Sequence, residues 1–430
     1  MKKKSTPIVP KKLIIPFVLV TFLFGLWGFA NSITDPMVQA FKKVLELSNS
    51  EAAWIQMAFY GGYFCMALPA ALFVKKYSYK KGILVGLFLY SVGALLFFPA
   101  AVTEKFWFFC LGLYILTFGL AFLETAASPY ILSMGDTKTA IQRLNLAQFF
   151  NPFGLIAGLL VAQQFILKKL QSDDISNFSN LDEGAKLLIK TSDLIVIRNP
   201  YVMLGLIVLV FFFIILIYKM PENEKKDSKI TTTTIIKNLC KNSLYKSGVL
   251  AQTFYVGAQI MCWTYIYQYA EALGIGISDA ANFQFAAFLM FFSGRGIGTY
   301  ILKYVKSAKL MMLFSIASAL LTLSAVTINN YFGLYCLVST SFFMSIMFPT
   351  IYGLSLKGMN EDEAKIGAAG LVMAIVGGAL MPKVQGYIID IGGNNVNDIN
   401  LLGISEVNLS FILPLICFIY ITVYSKKNIK

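Results

Sequence analysis

Apolar residues in this chain do not alternate with polar ones; they come in long stretches separated by short polar turns. Twelve stretches are long enough to cross a bilayer: 13–41, 52–74, 82–102, 106–131, 142–167, 200–219, 248–272, 280–302, 308–328, 331–356, 364–389 and 407–424. At about 1.5 Å of rise per residue, each covers the roughly 30 Å of a hydrocarbon core, some with tilt. Lipid offers no partner to backbone N–H and C=O groups, so a crossing segment must close its hydrogen bonds as a helix or a barrel. Continuous apolar runs choose helices over the two-residue alternation of a barrel. The expected fold class is an all-α membrane protein with twelve transmembrane helices.

Composition agrees. Of 430 residues, 57% are hydrophobic and 13% are charged, against roughly 25% charged in soluble domains. The net charge of +14 could suggest nucleic acid, but the lysines sit in the turns between apolar runs and form no basic stripe with exposed aromatics. With the N-terminus placed inside, inner segments hold the Lys2–Lys12 cluster, Lys75, Lys76, Lys80, Lys81, Lys138, Arg143, the 219–247 connection, Lys303, Lys306, Lys309, Lys357, Lys365 and the C-terminal lysines. Outer loops hold far fewer, so both termini are expected in the cytoplasm of a bacterial inner membrane. The basic start followed by an apolar run resembles a signal peptide. The run continues through Trp27 and Phe29 for a full span with no small-x-small cleavage site, so it reads as an uncleaved first helix.

The polar, lysine-rich stretch 220–247 lies at the midpoint and reads as a cytoplasmic linker between two six-helix halves, 1–219 and 248–430. Stretch 168–199 reads as an exposed outer loop with room for a short surface helix. A weak internal repeat supports two halves: lysine-rich turns follow helices two and eight, and Ser128-Pro129-Tyr130 has a counterpart in Phe348-Pro349-Thr350. Parallel repeats of this kind mark transporters whose site lies near the midplane. The six cysteines form no CxxC pair and read as packing residues, so no disulfide and no metal site is expected. No cofactor is expected, and with no histidine in the chain any proton relay must run on carboxylates.

Ionisable groups inside a span are costly, so each is a functional candidate. Asp35 shares a helix face with Trp27, Asn31 and Gln39, with Ser32 beside them. A ring next to amide and carboxylate groups suits a sugar, because the ring covers a C–H face and the polar groups bind hydroxyls. Asp35 could instead cap a helix break at Pro36. Glu124, with Thr117 and Ser128 on nearly the same face, is a candidate proton site, since burial favours the neutral carboxyl; the alternative is a hydrogen-bonded structural glutamate. Arg295, in Ser293-Gly294-Arg295-Gly296, reads as structural or gating, as does Arg143. Lys383 lies deep in helix eleven, where it would pair with an acid or line a cavity. Helix five carries Asn145, Gln148 and Asn151 before Pro152; helix seven carries Gln252, Gln259, Trp263 and Tyr267. Such groups often only glue helices together, but one stripe in each half fits a hydrophilic cavity.

At these residues the sequence resembles the fucose–proton symporter family of the major facilitator superfamily. The stretches that carry the likeness are Phe59-Tyr60-Gly61-Gly62-Tyr63-Phe64, Lys75-Lys76-Tyr77-Ser78-Tyr79-Lys80, Leu123-Glu124-Thr125-Ala126-Ala127, Arg143-Leu144-Asn145-Leu146-Ala147-Gln148, Tyr255-Val256-Gly257-Ala258-Gln259, and Phe343-Met344-Ser345-Ile346 with Pro349-Thr350. They cover both halves. The resemblance implies the major facilitator fold, alternating access and sugar–proton symport, with Asp35 and Glu124 as the important carboxylates and Gln148 and Asn151 as cavity amides. Typical members carry an asparagine at the position of Ser32 and a tyrosine at that of Phe348, so two hydrogen-bonding groups near the expected sugar differ here.

The expected function is proton-coupled uptake of a monosaccharide, L-fucose first. Glu124 and Asp35 would couple the proton; Asp35, Asn31, Ser32, Trp27, Gln148, Asn151, Gln259 and Phe348 would line the sugar site. The partners are then the sugar, protons and the bilayer, with a single chain sufficient as the functional unit. A glucose/galactose-type permease, proton- or sodium-coupled, is the nearest alternative; an efflux pump and a non-transporting sugar sensor stand further off. A membrane enzyme is disfavoured, because Gly135-Asp136 has no second intramembrane partner and no metal cluster, phosphate loop or nucleophile motif occurs.

Overall fold

The computed structural model describes residues 7–45, 49–171, 181–221, 231–389, 400–401 and 404–429. Nineteen α-helices are described. They are α1 (Ile14–Val44), α2 (Asn49–Lys76), α3 (Tyr79–Leu95), α4 (Phe97–Thr103), α5 (Phe106–Ser133), α6 (Ala140–Gln148), α7 (Asn151–Val161), α8 (Glu183–Ile217), α9 (Thr232–Lys241), α10 (Ser243–Thr264), α11 (Ile266–Ala272), α12 (Ile277–Ile301), α13 (Ser307–Thr327), α14 (Tyr331–Met344), α15 (Met347–Ser355), α16 (Glu361–Met373), α17 (Gly377–Ile389), α18 (Glu406–Ser410) and α19 (Ile412–Lys427). The only strands among the described residues are Asn400–Leu401 and Ile404–Ser405, paired antiparallel.

Several spans are helices broken once. Pro99 follows the α3/α4 break, Pro152 the α6/α7 break and Pro349 the α14/α15 break. Proline lacks the N–H that the ladder needs and clashes with the preceding turn, so a continuous α-helix is interrupted there. Counting broken helices as one, ten spans among the described residues are long and apolar enough to cross a membrane. Helices α10 and α12, with 22 and 25 residues, have the length but not the uninterrupted apolarity. Together these make the twelve expected crossings.

Two boundaries differ from the sequence reading. The expected outer loop 168–199 contains the first half of α8, capped by Asp182 on the N–H of Gly184. Charged residues end the hydropathic span there, but Asp193, Leu194, Ile197, Pro200, Tyr201 and Leu204 still form one buried helical stripe. Glu104 ties this extension down, accepting from Thr191 Oγ1 at 2.5 Å and lying 3.8 Å from Lys190 Nζ. The expected linker 220–247 is not wholly irregular either. Thr231 caps α9 on the N–H of Thr234, and Ile235 and Leu239, one turn apart, are buried.

Contacts divide the chain into two compact units. The first comprises Lys12–Tyr130 and Phe150–Asp227; the second comprises Met1–Lys11, Ile131–Phe149 and Ser228–Lys430. In the first unit, α1 packs along α7 and α3 along α8. The α1–α7 approach is close because Gly154 and Gly158 present no side chain. A Cβ at Gly154 would collide with the carbonyl oxygen of Gly25, and one at Gly158 with Ser32 Oγ and the Phe29 carbonyl. In the second unit, α13 packs on α14 and α19, and α10 on α17 and α19.

Candidate functional site

In the first unit, the glycine-lined contact sets Gly25, Phe29 and Ser32 of α1 against Gly154 and Gly158 of α7. Asn151 Nδ2 donates to the Phe24 carbonyl at 3.3 Å. Asn31 Nδ2 donates to the Trp27 carbonyl at 3.0 Å, and Ser32 Oγ to the Phe29 carbonyl at 3.3 Å. Trp27 is half-buried, and its indole N–H donates to the hydroxyl of Tyr63 on α2. Asp35 lies one turn beyond Asn31 on α1; its side chain, like that of Gln39, lies outside the described residues.

Glu124 on α5 is 1% exposed. Ser128 Oγ donates to its Oε1 at 2.9 Å. Two turns earlier on α5, the Thr117 side chain faces Gly62 of α2. Trp27, Asn31, Ser32, Asn151 and Glu124 therefore share one unit, with Tyr63 in contact with Trp27. Sequence reasoning passed over Tyr63 as a site residue. It stands in the Phe59–Phe64 motif, but a tyrosine in an apolar helix reads as packing.

The second unit holds the remaining candidates. Arg295 is 3% exposed. Its Nε donates to the carbonyl of Ser345 at 2.6 Å and its Nη1 to that of Gln148 at 3.0 Å. Gln148 is the last residue of α6, and Ser345 caps the end of α14. Both carbonyls sit at helix C-termini, where the ladder leaves acceptors unfilled and the dipole is negative. One guanidinium thus closes two helix breaks, and its Cζ lies 4.6 Å from the Phe291 ring centroid. The Gln148 amide is buried, and its Nε2 has no hydrogen-bond partner among the described residues.

Phe348 is buried at the α14/α15 break, stacked on Tyr352 at 6.3 Å and edge-on to Tyr255 at 6.2 Å between centroids. Gln259 is half-buried. The rest of the helix-seven stripe is not a free polar wall: Trp263 Nε1 donates to Ser341 Oγ at 3.2 Å, and Tyr267 OH to Gln284 Oε1 at 2.6 Å. Gln252 is fully buried, with both amide atoms unpartnered among the described residues. Asn145 Nδ2 reaches Thr350 Oγ1 at 3.4 Å. Lys383 is exposed on α17.

Arg143, wholly buried, is a cap. It donates to the carbonyls of Ile131 and Leu132, in the last turn of α5, at 2.8 and 2.6 Å. Lys80 does the same for α8, reaching the Leu216 and Tyr218 carbonyls at 3.0 and 2.8 Å. Two further buried carboxylates escaped the sequence reading. Asp193, in what read as a loop, accepts from the N–H of Gln171 at 2.9 Å, and Glu406 is 1% exposed in the first turn of α18. Neither sits in a run apolar enough to mark it as an intramembrane charge. No cluster of metal-ligating side chains occurs among the described residues.

Comparison with known proteins agrees with this architecture. The family model of the Major Facilitator Superfamily matches residues 20–382. The chain is 53% identical over 98% of its length to the L-fucose-proton symporter of Haemophilus influenzae, covering 98% of that protein. It is 34% identical over 96% of its length to the L-fucose-proton symporter of Escherichia coli K12, covering 93% of it. A crystal structure of FucP, a Major Facilitator Superfamily transporter in the outward conformation, superposes with a TM-score of 0.87 at 34% identity, over 97% of this chain and 99% of that one. With its membrane-spanning helices and this match over most of its length, the chain belongs to the Major Facilitator Superfamily.

Proposed function

We propose that this protein is a proton-coupled importer of L-fucose working by alternating access in a bacterial inner membrane, with both termini cytoplasmic. The observation that carries the substrate is the 53% identity, over nearly the whole of both chains, to a protein named L-fucose-proton symporter. What supports proton coupling is Glu124, a carboxyl 1% exposed within a membrane span, where a lasting charge is costly. The protein is read as two six-helix halves, 1–219 and 248–430, joined by 220–247, and as functional in single copy.

Glu124 takes a proton from outside. Neutralised, it no longer holds the protein in the state that solvates its charge, and the equilibrium between outward- and inward-facing states shifts. Asp35 shares the coupling. In the first unit, the Trp27 ring covers an apolar face of the sugar while Asn31, Ser32, Asp35 and Asn151 hold hydroxyls; in the second, Gln148, Gln259 and Phe348 make the contacts. Release of sugar and proton inside resets the cycle. The membrane potential alone adds about 2.3 kcal/mol per charge per 100 mV. Arg295 and Arg143 hold helix ends and do not touch the sugar.

The test is uptake of labelled L-fucose into proteoliposomes in sodium-free buffer, with and without an inward proton gradient, beside galactose and glucose. Gradient-driven accumulation of L-fucose is expected. The Glu124→Gln variant should lose uphill accumulation and keep sugar exchange at equal concentrations. Uphill uptake by Glu124→Gln, or accumulation of glucose or galactose in place of L-fucose, would overturn the respective part of the reading.

A further inference from the structure

Gln148 ends α6, and a second amide, Asn145, stands one turn before it. Residues three apart lie side by side on a helix face. Asn145 is fully buried and Gln148 is 2% exposed. Asn145 Nδ2 donates to the Ile141 carbonyl at 2.9 Å and to Thr350 Oγ1 at 3.4 Å. A carbonyl oxygen only accepts, so its partner identifies the nitrogen of this amide, and both N–H hydrogens are spent. The Oδ1 of Asn145 has no hydrogen-bond partner among the described residues, and neither has Nε2 of Gln148. One turn of α6 thus presents an unused acceptor beside an unused donor. Buried polar atoms are rarely left unmet, because the lost hydration is not returned.

Helix α6 lies along two neighbours in its unit. Towards α15, Ile141 faces Gly353 and Asn145 reaches Thr350. Towards α12, Gln142 Nε2 donates to the Thr299 carbonyl at 3.3 Å, and the Phe149 ring stacks on Phe292 at 4.8 Å between centroids. The two amide bonds that cross to α12 and α15, at 3.3 and 3.4 Å, are longer than the roughly 2.7–3.2 Å usual for N–H···O. Arg143, on the same helix, donates to the Ile8 carbonyl at 3.0 Å, so α6 starts on the side of the chain's N-terminus. Asn145 lies on that side of Gln148.

We propose that Asn145 and Gln148 form a second sugar-binding station, next to the central site on the side of the N-terminus, which the sugar occupies as α6 parts from α15. The proposal rests on the sugar-transport function above and adds to it a residue and a place. A sugar hydroxyl both donates and accepts. Of two adjacent hydroxyls, one donates to Asn145 Oδ1 and the next accepts from Gln148 Nε2. Gln148 belongs to both stations; Asn145 belongs to the inner one alone. The long bonds across the seam are those given up when the sugar enters.

The experiment measures labelled L-fucose transport by the full-length protein in right-side-out and inside-out membrane vesicles, at equal pH on both sides. Asn145→Ala should raise the half-saturation constant about tenfold at the face that carries the N-terminus, the worth of one hydrogen bond at ~1.4 kcal/mol. The constant at the opposite face should stay within about twofold. A loss of correctly folded protein lowers maximal rates on both faces and leaves the ratio of the two constants alone. With the parent protein, L-fucose carrying fluorine in place of one ring hydroxyl at a time should show one position that weakens transport from the inner face only, since fluorine cannot donate to Oδ1. That second arm decides the matter if Asn145→Ala does not fold.

An unchanged ratio would overturn the station and leave the Asn145 amide to water. So would an equal loss on both faces. A shift in the opposite direction, with tighter inner and weaker outer half-saturation, would also overturn it, because a residue that only holds the seam shut loosens the closed state when removed. If the parent accumulates galactose or glucose and not L-fucose, the same measurement with that sugar tests the station, and only the identity of the sugar falls.

Discussion

Replacing Arg143 by lysine keeps the charge and removes the fork. The guanidinium of Arg143 donates to Leu132 O at 2.6 Å, Ile131 O at 2.8 Å, Ile8 O at 3.0 Å, Thr139 Oγ1 at 3.2 Å and Asp136 O at 3.4 Å. These acceptors surround a planar group on several sides. An ammonium has three donors on one atom and cannot face them all. It could keep the two short bonds at the end of α5 and would lose those to Ile8 and the 136–139 turn. A hydrogen bond to a charged group is worth roughly 1.5–3 kcal/mol; losing about two, with water recovering part, costs ~3 kcal/mol. At about 2 °C per kcal/mol for a large domain, the melting midpoint should fall by about 6 °C. A thiol-reactive dye suits the assay, because Cys110, Cys262, Cys336 and Cys417 are buried and become reactive on unfolding. Arg143→Met, which strands the carbonyls as well, should fall further. A midpoint for Arg143→Lys within about 1 °C of the parent would refute the argument that the forked geometry, rather than the charge, holds this helix end.

Lys80→Met should remove the cap on the Leu216 and Tyr218 carbonyls and cost ~1 kcal/mol, the ordinary worth of an exposed cap; thermal unfolding checks it, and the effect should shrink little in high salt because the bonds are short. Gly154→Val should force α1 from α7, since its Cβ already meets the Gly25 carbonyl; a loss of ~3 kcal/mol or failure to fold is expected, seen as reduced yield of monodisperse protein. Gln252→Leu should hold or raise the melting midpoint by about 2 °C, because a buried amide without a partner, as Gln252 is among the described residues, costs more than an apolar side chain of similar volume; a clear fall would mean that the amide is satisfied.

Hydropathy located every crossing, because a bilayer imposes a length and an apolarity that few other structures share. It misplaced the start of α8, since Lys186, Lys190, Asp193 and Arg198 end the apolar run while the helical stripe of buried residues continues through them. It overlooked α9, whose two buried residues are too few to stand out in a polar stretch. The cost of intramembrane charge pointed correctly to Glu124 and Arg295 as buried groups, yet it could not say that Arg295 serves two carbonyls at helix breaks, because backbone acceptors have no letter in a sequence. It ranked Lys383 with them, but that side chain is exposed on α17. Tyr63 was illegible for the same reason as the carbonyls: what distinguishes it is the Trp27 indole whose N–H it accepts from another helix, not its own residue type.

Arg143, Arg295 and Lys80 share a habit: each lends a fixed positive charge to the open end of a helix. Arginine keeps its proton at any pH a cell encounters, and the chain contains no histidine. The arginine joints of the scaffold are therefore indifferent to acidity, and the carboxyl groups are left as the parts that respond to it. The proton coupling proposed above needs that separation, so that what powers the protein does not also loosen it.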